Sequence, residues 1–155
     1  MTAMTQDTTL NSTRIPAARL AAFVTRALAA AGLPKTDAET VAGLMTEADL
    51  RGSDTHGVIR LPLYVRRIRA GGINAKPNIR VVSDRPSAAL IDGDNAMGHL
   101  VMRRAAHLAI EKAKATGIGW VGARMSNHAG PAALYVMMPL HHDMIGLYFA
   151  MGSNN

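Results

Sequence analysis

The 155-residue chain has no cysteine, which excludes disulfides, thiolate nucleophiles and cysteine-based metal sites together. Aromatic residues make up only 4% of it, too few for the stacking platforms that hold single-stranded nucleic acid. No apolar run approaches the roughly 20 residues that cross a bilayer, so no membrane association is expected. The first 13 residues are threonine-rich, with neither a basic start nor an apolar block. No secretory signal is expected from them, and a cytoplasmic protein is the simplest reading. Acidic residues are also in deficit: 11 Asp and Glu face 17 Lys and Arg, a net charge of +6. That excess is scattered. Its densest group, Arg66, Arg67 and Arg69, belongs to a helix whose apolar positions Leu61, Tyr64, Val65 and Ile68 follow helical spacing. Nucleic acid is therefore not an expected partner.

What is present is a chain that is 48% hydrophobic and only 18% charged, a balance that favours a packed core over disorder. The pattern is α/β: N-terminal helices, then alternating strands and helices. Positions 15–31 are alanine-rich and helical, with Thr13 as cap, Pro16 near the first turn and Gly32 as the stop. Thr36 and Glu39 have capping-box spacing at the head of a second helix running to Leu50. A third helix follows His56 and ends at Gly71-Gly72. Segments 79–82 and 88–91 read as short paired strands, and 98–116 as a long helix with Met102, Ala105, Ala106, Ala109 and Ala113 on its apolar stripe. After these come a strand over 118–123, a helix over 131–142 and a buried-type strand over 144–151.

Several patterns invite a stronger reading than they support. Gly117, Gly119 and Gly122 match a dinucleotide-binding glycine pattern, but they follow a helix and enter a strand, the reverse of the required order. Gly117 is better read as a left-handed helix terminus. The run from Asp92 to Gly98 lacks the glycine and the closing glutamate of a calcium loop. It reads as a strand-to-helix loop whose Asp and Asn cap the next helix. His141 and His142 are adjacent and so diverge on a helix, which gives no metal site.

Two segments hold the chemistry. Ser53-Asp54-Thr55-His56-Gly57-Val58-Ile59-Arg60 places a histidine beside a glycine, with an arginine one turn on; Ser126-Asn127-His128-Ala129-Gly130 repeats the histidine and glycine. Histidine gives or takes a proton near neutrality, and the arginine fork suits a carboxylate. A proton donor and a carboxylate clamp on one element suit reduction of a 2-keto acid. Gly130 with Pro131 marks a tight turn into a helix whose free amides could face a phosphate.

The longer blocks DTHGVIRLPLYVRRIRAGGIN (54–74), ALIDGDNAMGH (89–99), GIGWVGARMSNHAGPAALYVMM (117–138) and MIGLYFAMGSNN (144–155) resemble the malate/L-lactate dehydrogenase family. This is a non-Rossmann, NAD(P)-dependent family of 2-keto acid and 2-hydroxy acid oxidoreductases that includes ureidoglycolate dehydrogenases and piperideine-2-carboxylate reductases. The resemblance implies the family's NAD(P)-binding fold, NAD or NADP as cofactor, a small 2-keto or 2-hydroxy acid as substrate and a homodimer. It implies His56 as proton donor, Thr55 (usually serine) as its relay partner and Arg60 as the carboxylate clamp. His128, Ala129, Gly130, Pro131 and Ala132 would form the cofactor loop. His128 competes with His56 for the proton-transfer role, with His56 favoured.

The expected organisation is a disordered stretch over 1–14, a helical segment over 15–75 carrying the proton-donor histidine, and an incomplete α/β nucleotide-binding segment over 76–155. Family members are considerably longer, and the relay carboxylate of the family lies beyond the position matching Asn155. The chain is thus expected to be truncated. An inactive or incompletely folded gene fragment, or a non-catalytic basic interaction module, stands as the alternative to a working reductase.

Overall fold

The computed structural model describes residues 14–151; the expected N-terminal disorder and the Thr13 cap concern residues outside that span. Helix α1 (Ala17–Ala31) starts directly after Pro16, whose carbonyl takes the Arg19 and Leu20 amides at 2.9 and 3.1 Å. It stops as anticipated at Gly32, whose φ of 119° is left-handed. Helix α2 (Lys35–Leu50) begins two residues earlier than the capping box requires. Thr36 thus lies inside the helix rather than at its cap, and no side chain caps the end. The Pro34 carbonyl instead receives the Ala38 amide at 2.9 Å.

Helix α3 (Leu61–Arg69) lays Leu61, Tyr64 and Ile68 against Val24 and Leu28 of α1 and Val41, Ala42 and Met45 of α2, with Ile73 and Met97 closing the cluster. The apolar spacing expected of this segment therefore builds the first core. Burying a side chain such as Leu28 contributes about 2 kcal/mol.

A three-stranded sheet follows. Strands β1 (Arg80–Asp84) and β2 (Ala88–Ala96) are antiparallel, with Val81 opposite Ile91 and Asp84 opposite Ala89. Strand β3 (Trp120–Ser126) runs parallel to β2, and helix α4 (Gly98–Thr116) makes the crossover between them. The sheet order is β1-β2-β3, so β2 is central and the most buried. The expected loop at 92–98 is in fact a continuation of β2 to Ala96, kinked where Asp94 and Asn95 take φ of 50° and 57°. Their side chains do not cap α4. Asp94 accepts the Asn74 side-chain amide and the Asn78 backbone amide, each at 2.9 Å, and Asn95 donates to the Gly72 carbonyl. They bind the connector between α3 and β1 to the sheet, a contact that local spacing does not reveal.

The apolar stripe of α4 is shifted from the expected one. Val101, Ala105 and Ile110 are buried, whereas Met102, Ala106, Ala109 and Ala113 are half-buried. The helix is covered on two sides, by the sheet and by α2, so no single stripe describes it. Gly117 has the left-handed conformation expected of a helix terminus, φ 84°. A Cβ on Gly119 would fall 1.9 Å from the Ala109 carbonyl oxygen, so this glycine serves helix-to-strand packing and not phosphate binding.

Beyond β3 two expectations fail. The helix anticipated over 131–142 is a single turn, α5 (Ala133–Val136), followed by a 3-10 segment over Met138–His142. Pro139 lacks the amide that would continue the α ladder, which accounts for the break. Residues 144–151 are not a buried strand: they pair with nothing among the described residues. Ile145, Leu147 and Phe149 are 89%, 77% and 71% exposed, while Tyr148 turns inward to stack on Tyr135. The alternation is that of an extended chain, but its ladder bonds are unmade.

Candidate active site

Two consecutive 3-10 turns, Asp54–His56 and Val58–Arg60, connect α2 to α3 on either side of Gly57. The Asp49 carboxylate, near the end of α2, holds them in place by accepting the Val58 amide through both oxygens, at 3.3 and 3.1 Å. A Cβ on Gly57 would fall 1.6 Å from Asp49 Oδ1, so the glycine is there to admit the carboxylate. Sequence reasoning missed Asp49. Its signal was an acid in the last turn of a helix, where the dipole disfavours one.

The turn brings three of the expected residues together. The Thr55 hydroxyl lies 2.8 Å from His56 Nδ1. Arg60 Nε donates to the Thr55 carbonyl at 2.8 Å, which fixes the guanidinium to the same turn. Its two terminal nitrogens make no ion pair among the described residues. They remain able to take a carboxylate end-on.

His128 comes to this turn from the loop after β3. Asn127, the residue before it, donates to the Asn95 and Ala96 carbonyls at 2.9 and 3.0 Å, which ties the loop to the end of β2. Gly98 packs beneath: a Cβ there would sit 2.0 Å from the Asn127 carbonyl oxygen. The His128 ring then stacks on His56, with centroids 5.4 Å apart and planes inclined by 30°. Its Nδ1 is 2.6 Å from the Tyr64 hydroxyl. Loss of hydration pushes the His128 pKa down, helped by the charges of Arg60, His56 and Arg67. Tyr64, assigned from its spacing to the core face of α3, thus has a buried ring and a functional-looking tip.

The Gly130 amide donates to His128 Nδ1 at 3.3 Å, and the rest of the loop packs elsewhere. Ala129 is buried with Ala48, Leu134 and Tyr135, and its carbonyl accepts the Tyr135 hydroxyl. Gly130, at φ 74°, lies against His99: an added Cβ would be 3.0 Å from His99 Nε2. The Pro131 and Ala132 carbonyls accept the Leu134 and Tyr135 amides at 3.2 and 3.0 Å, which starts α5. His99 was not among the anticipated site residues, yet it lies directly beneath this loop. It is fully buried, neither ring nitrogen has a partner among the described residues, and burial lowers its pKa to about 3. A neutral imidazole under the loop is the result.

The reacting end of a nicotinamide dinucleotide fits these residues. The imidazole pair and the Arg60 guanidinium suit a carbonyl and a carboxylate beside the nicotinamide ring. Helix α5, which follows the loop, is one turn long, and its Leu134 and Tyr135 amides are taken by the Pro131 and Ala132 carbonyls. A cleft of about 490 Å³ between α2 and α4, lined by Asp37, Thr40, Leu100, Arg103 and His107 among others, shares no residue with this group.

The chain is similar to known proteins. A family model described as malate/L-lactate dehydrogenase matches residues 15–155. Malate dehydrogenase of Pyrococcus horikoshii is 50% identical over 137 residues, covering 88% of this chain and 38% of that protein. L-sulfolactate dehydrogenase of Methanocaldococcus jannaschii is 42% identical over 116 residues, covering 75% of this chain and 34% of that protein. The solved structure of the Pyrococcus horikoshii malate dehydrogenase superposes with a TM-score of 0.81 at 49% identity, over 84% of this chain and 37% of that one. The chain thus spans a little over a third of the length of the relatives it matches.

Proposed function

The chain belongs to the malate/L-lactate dehydrogenase family, and from that premise we propose that its histidine cluster is the proton-transfer and carboxylate-binding part of an NAD(P)-dependent 2-hydroxy acid/2-keto acid oxidoreductase. The observation that carries this reading is the stacking of His56 on His128 at 5.4 Å, with Arg60 tied to the same turn. Residues from the α2–α3 connection and from the end of β3 converge there, on a surface from which core packing removes neither ring entirely.

The roles follow from the atoms. The terminal nitrogens of Arg60 hold the substrate carboxylate in the plane of the guanidinium, which sets the adjacent 2-keto group beside the imidazoles. His56, steadied through Nδ1 by the Thr55 hydroxyl, holds a proton for the carbonyl oxygen in reduction and recovers it in oxidation. When bound, NADH or NADPH supplies the hydride that adds to the carbonyl carbon. The carbonyl π bond would break as a C–H bond forms at carbon and an O–H bond forms with the proton held by His56. Positioned acid–base help of this kind accelerates a reaction by about 100- to 10,000-fold. Asp49 acts one step removed, by fixing the turn that carries His56 and Arg60. A homodimer accompanies this reading, as in the family.

The test is NAD(P)H oxidation with oxaloacetate, pyruvate and other 2-keto acids, comparing the parent with His56→Ala. Turnover is expected to fall at least about 100-fold in the variant, with nucleotide affinity near that of the parent. Turnover within a few-fold of the parent would move the proton-transfer role away from His56.

A further inference from the structure

Tyr64 is only 1% exposed, and its ring meets His99 edge-on with centroids 5.7 Å apart. Its hydroxyl, however, leaves the core and approaches His128 Nδ1 at 2.6 Å. The same nitrogen receives the Gly130 backbone amide at 3.3 Å. An amide N–H can only donate, so His128 Nδ1 must present its lone pair. A phenol can either donate or accept, and facing a lone pair it donates. A neutral imidazole carries a single N–H, which is therefore on Nε2.

We propose that Tyr64 is a positioning residue that, with the Gly130 amide, locks His128 as the neutral Nε2–H tautomer, making His128 a hydrogen-bond donor to the substrate carbonyl oxygen and not a proton acceptor. The proposal rests on the dehydrogenase reading of the site and refines it. With His128 Nδ1 occupied by two donors, His56 alone is left to carry the proton, and the competition between the two histidines is resolved by division of labour. His128 polarises the carbonyl and keeps its own hydrogen throughout.

The surroundings agree with this. Burial pushes the Tyr64 pKa up to about 12 against the opposing pull of Arg60 and Arg67, so the phenol keeps its hydrogen at neutral pH. Around His128 the cations are Arg60 and Arg67 of the α2–α3 region and the His56 ring, with His99 beneath and neutral. None of them favours a second proton on the ring.

Nitrogen-15 NMR of the 155-residue chain, labelled at histidine, reads the tautomer ring by ring. At pH 7.5 the expected result is an Nε2–H pattern for His128. In Tyr64→Phe the His128 titration midpoint is expected to rise, because Nδ1 loses a donor and becomes free to bind a proton. If instead His128 donated to Tyr64, the same substitution would lower that midpoint. An Nδ1–H pattern in the parent, or an unchanged or lowered midpoint in Tyr64→Phe, overturns the proposal whatever the fate of the family reading. Should Tyr64→Phe fail to fold, the parent spectrum still decides the tautomer. Oxamate, a 2-keto acid mimic that is not reduced, is expected to shift the His128 Nε2 resonance. An Nε2–H pattern that oxamate leaves untouched overturns the donor role through failure of the dehydrogenase reading, while leaving the tautomer lock intact.

Discussion

Acidification should expose the cost of burying His99. In the folded protein this imidazole is fully buried with neither nitrogen partnered among the described residues, and its pKa is lowered from 6.5 to about 3. In the unfolded chain it titrates normally. A depressed folded pKa means that below about pH 6.5 the unfolded state binds more protons, so stability falls as pH falls and goes on falling until the folded pKa is reached. The loss is about 1.4 kcal/mol per pH unit, hence about 2 kcal/mol at pH 5 and on the order of 5 kcal/mol over the whole window. His128, whose pKa is also lowered, adds to the loss in the same direction. His99→Leu keeps most of the volume and removes both unpartnered nitrogens. It gives up an edge contact with Tyr64 worth about 1 kcal/mol but removes a desolvation cost of similar size. The variant should therefore match the parent at pH 7.5 and be the more stable of the two at pH 5, by about 2 kcal/mol. Thermal or urea unfolding of both proteins at the two pH values measures this. For a chain of this size the difference corresponds to a gap in Tm of about 4–8 °C. If parent and variant lost equal stability on acidification, the reasoning would be refuted.

Three further outcomes are expected. Arg60→Lys should raise KM for 2-keto acids by about tenfold or more, the loss of one charge-assisted bond, while an amide or ester analogue is affected much less; equal losses on charged and neutral analogues would remove the clamp assignment. Gly98→Ala should destabilise the fold by about 3 kcal/mol, because its Cβ would meet the Asn127 carbonyl oxygen at 2.0 Å; unfolding measurements showing less than about 1 kcal/mol would mean that the loop carrying His128 yields easily. The exposed Ile145, Leu147 and Phe149 should drive self-association of the 155-residue chain, since each apolar side chain of this size is worth about 2 kcal/mol when covered. Size-exclusion chromatography with light scattering should show species larger than a monomer that diminish in Leu147→Glu/Phe149→Glu, and a monomeric parent would contradict this.

The sequence by itself determined the elements whose causes are local. Helices α1, α2 and α4 follow from alanine-rich apolar periodicity, and their ends at Gly32 and Gly117 from the left-handed conformation those glycines adopt. The reversed order of helix, glycines and strand was enough to reject Gly117–Gly122 as a phosphate loop, and the packing of Gly119 on Ala109 supplies the reason. The turn holding Thr55, His56 and Arg60 was legible for the same cause: its residues are neighbours in the chain. Tertiary structure decided everything that depends on which segments meet. Whether 144–151 becomes a strand depends on a partner for its backbone, and apolar alternation states only that such a partner would be welcome. The break of 131–142 at Pro139 was readable in principle, but the weight of the apolar pattern hid it. Asp49 and Tyr64 acquire their roles only when α2 and α3 fold the His56 turn against the end of β3. His99 looked like any helical histidine until the 128–132 loop closed over it and removed its water. A side chain's charge and hydrogen-bonding state follow from what surrounds it in space, and that is settled by contacts between residues far apart in the chain.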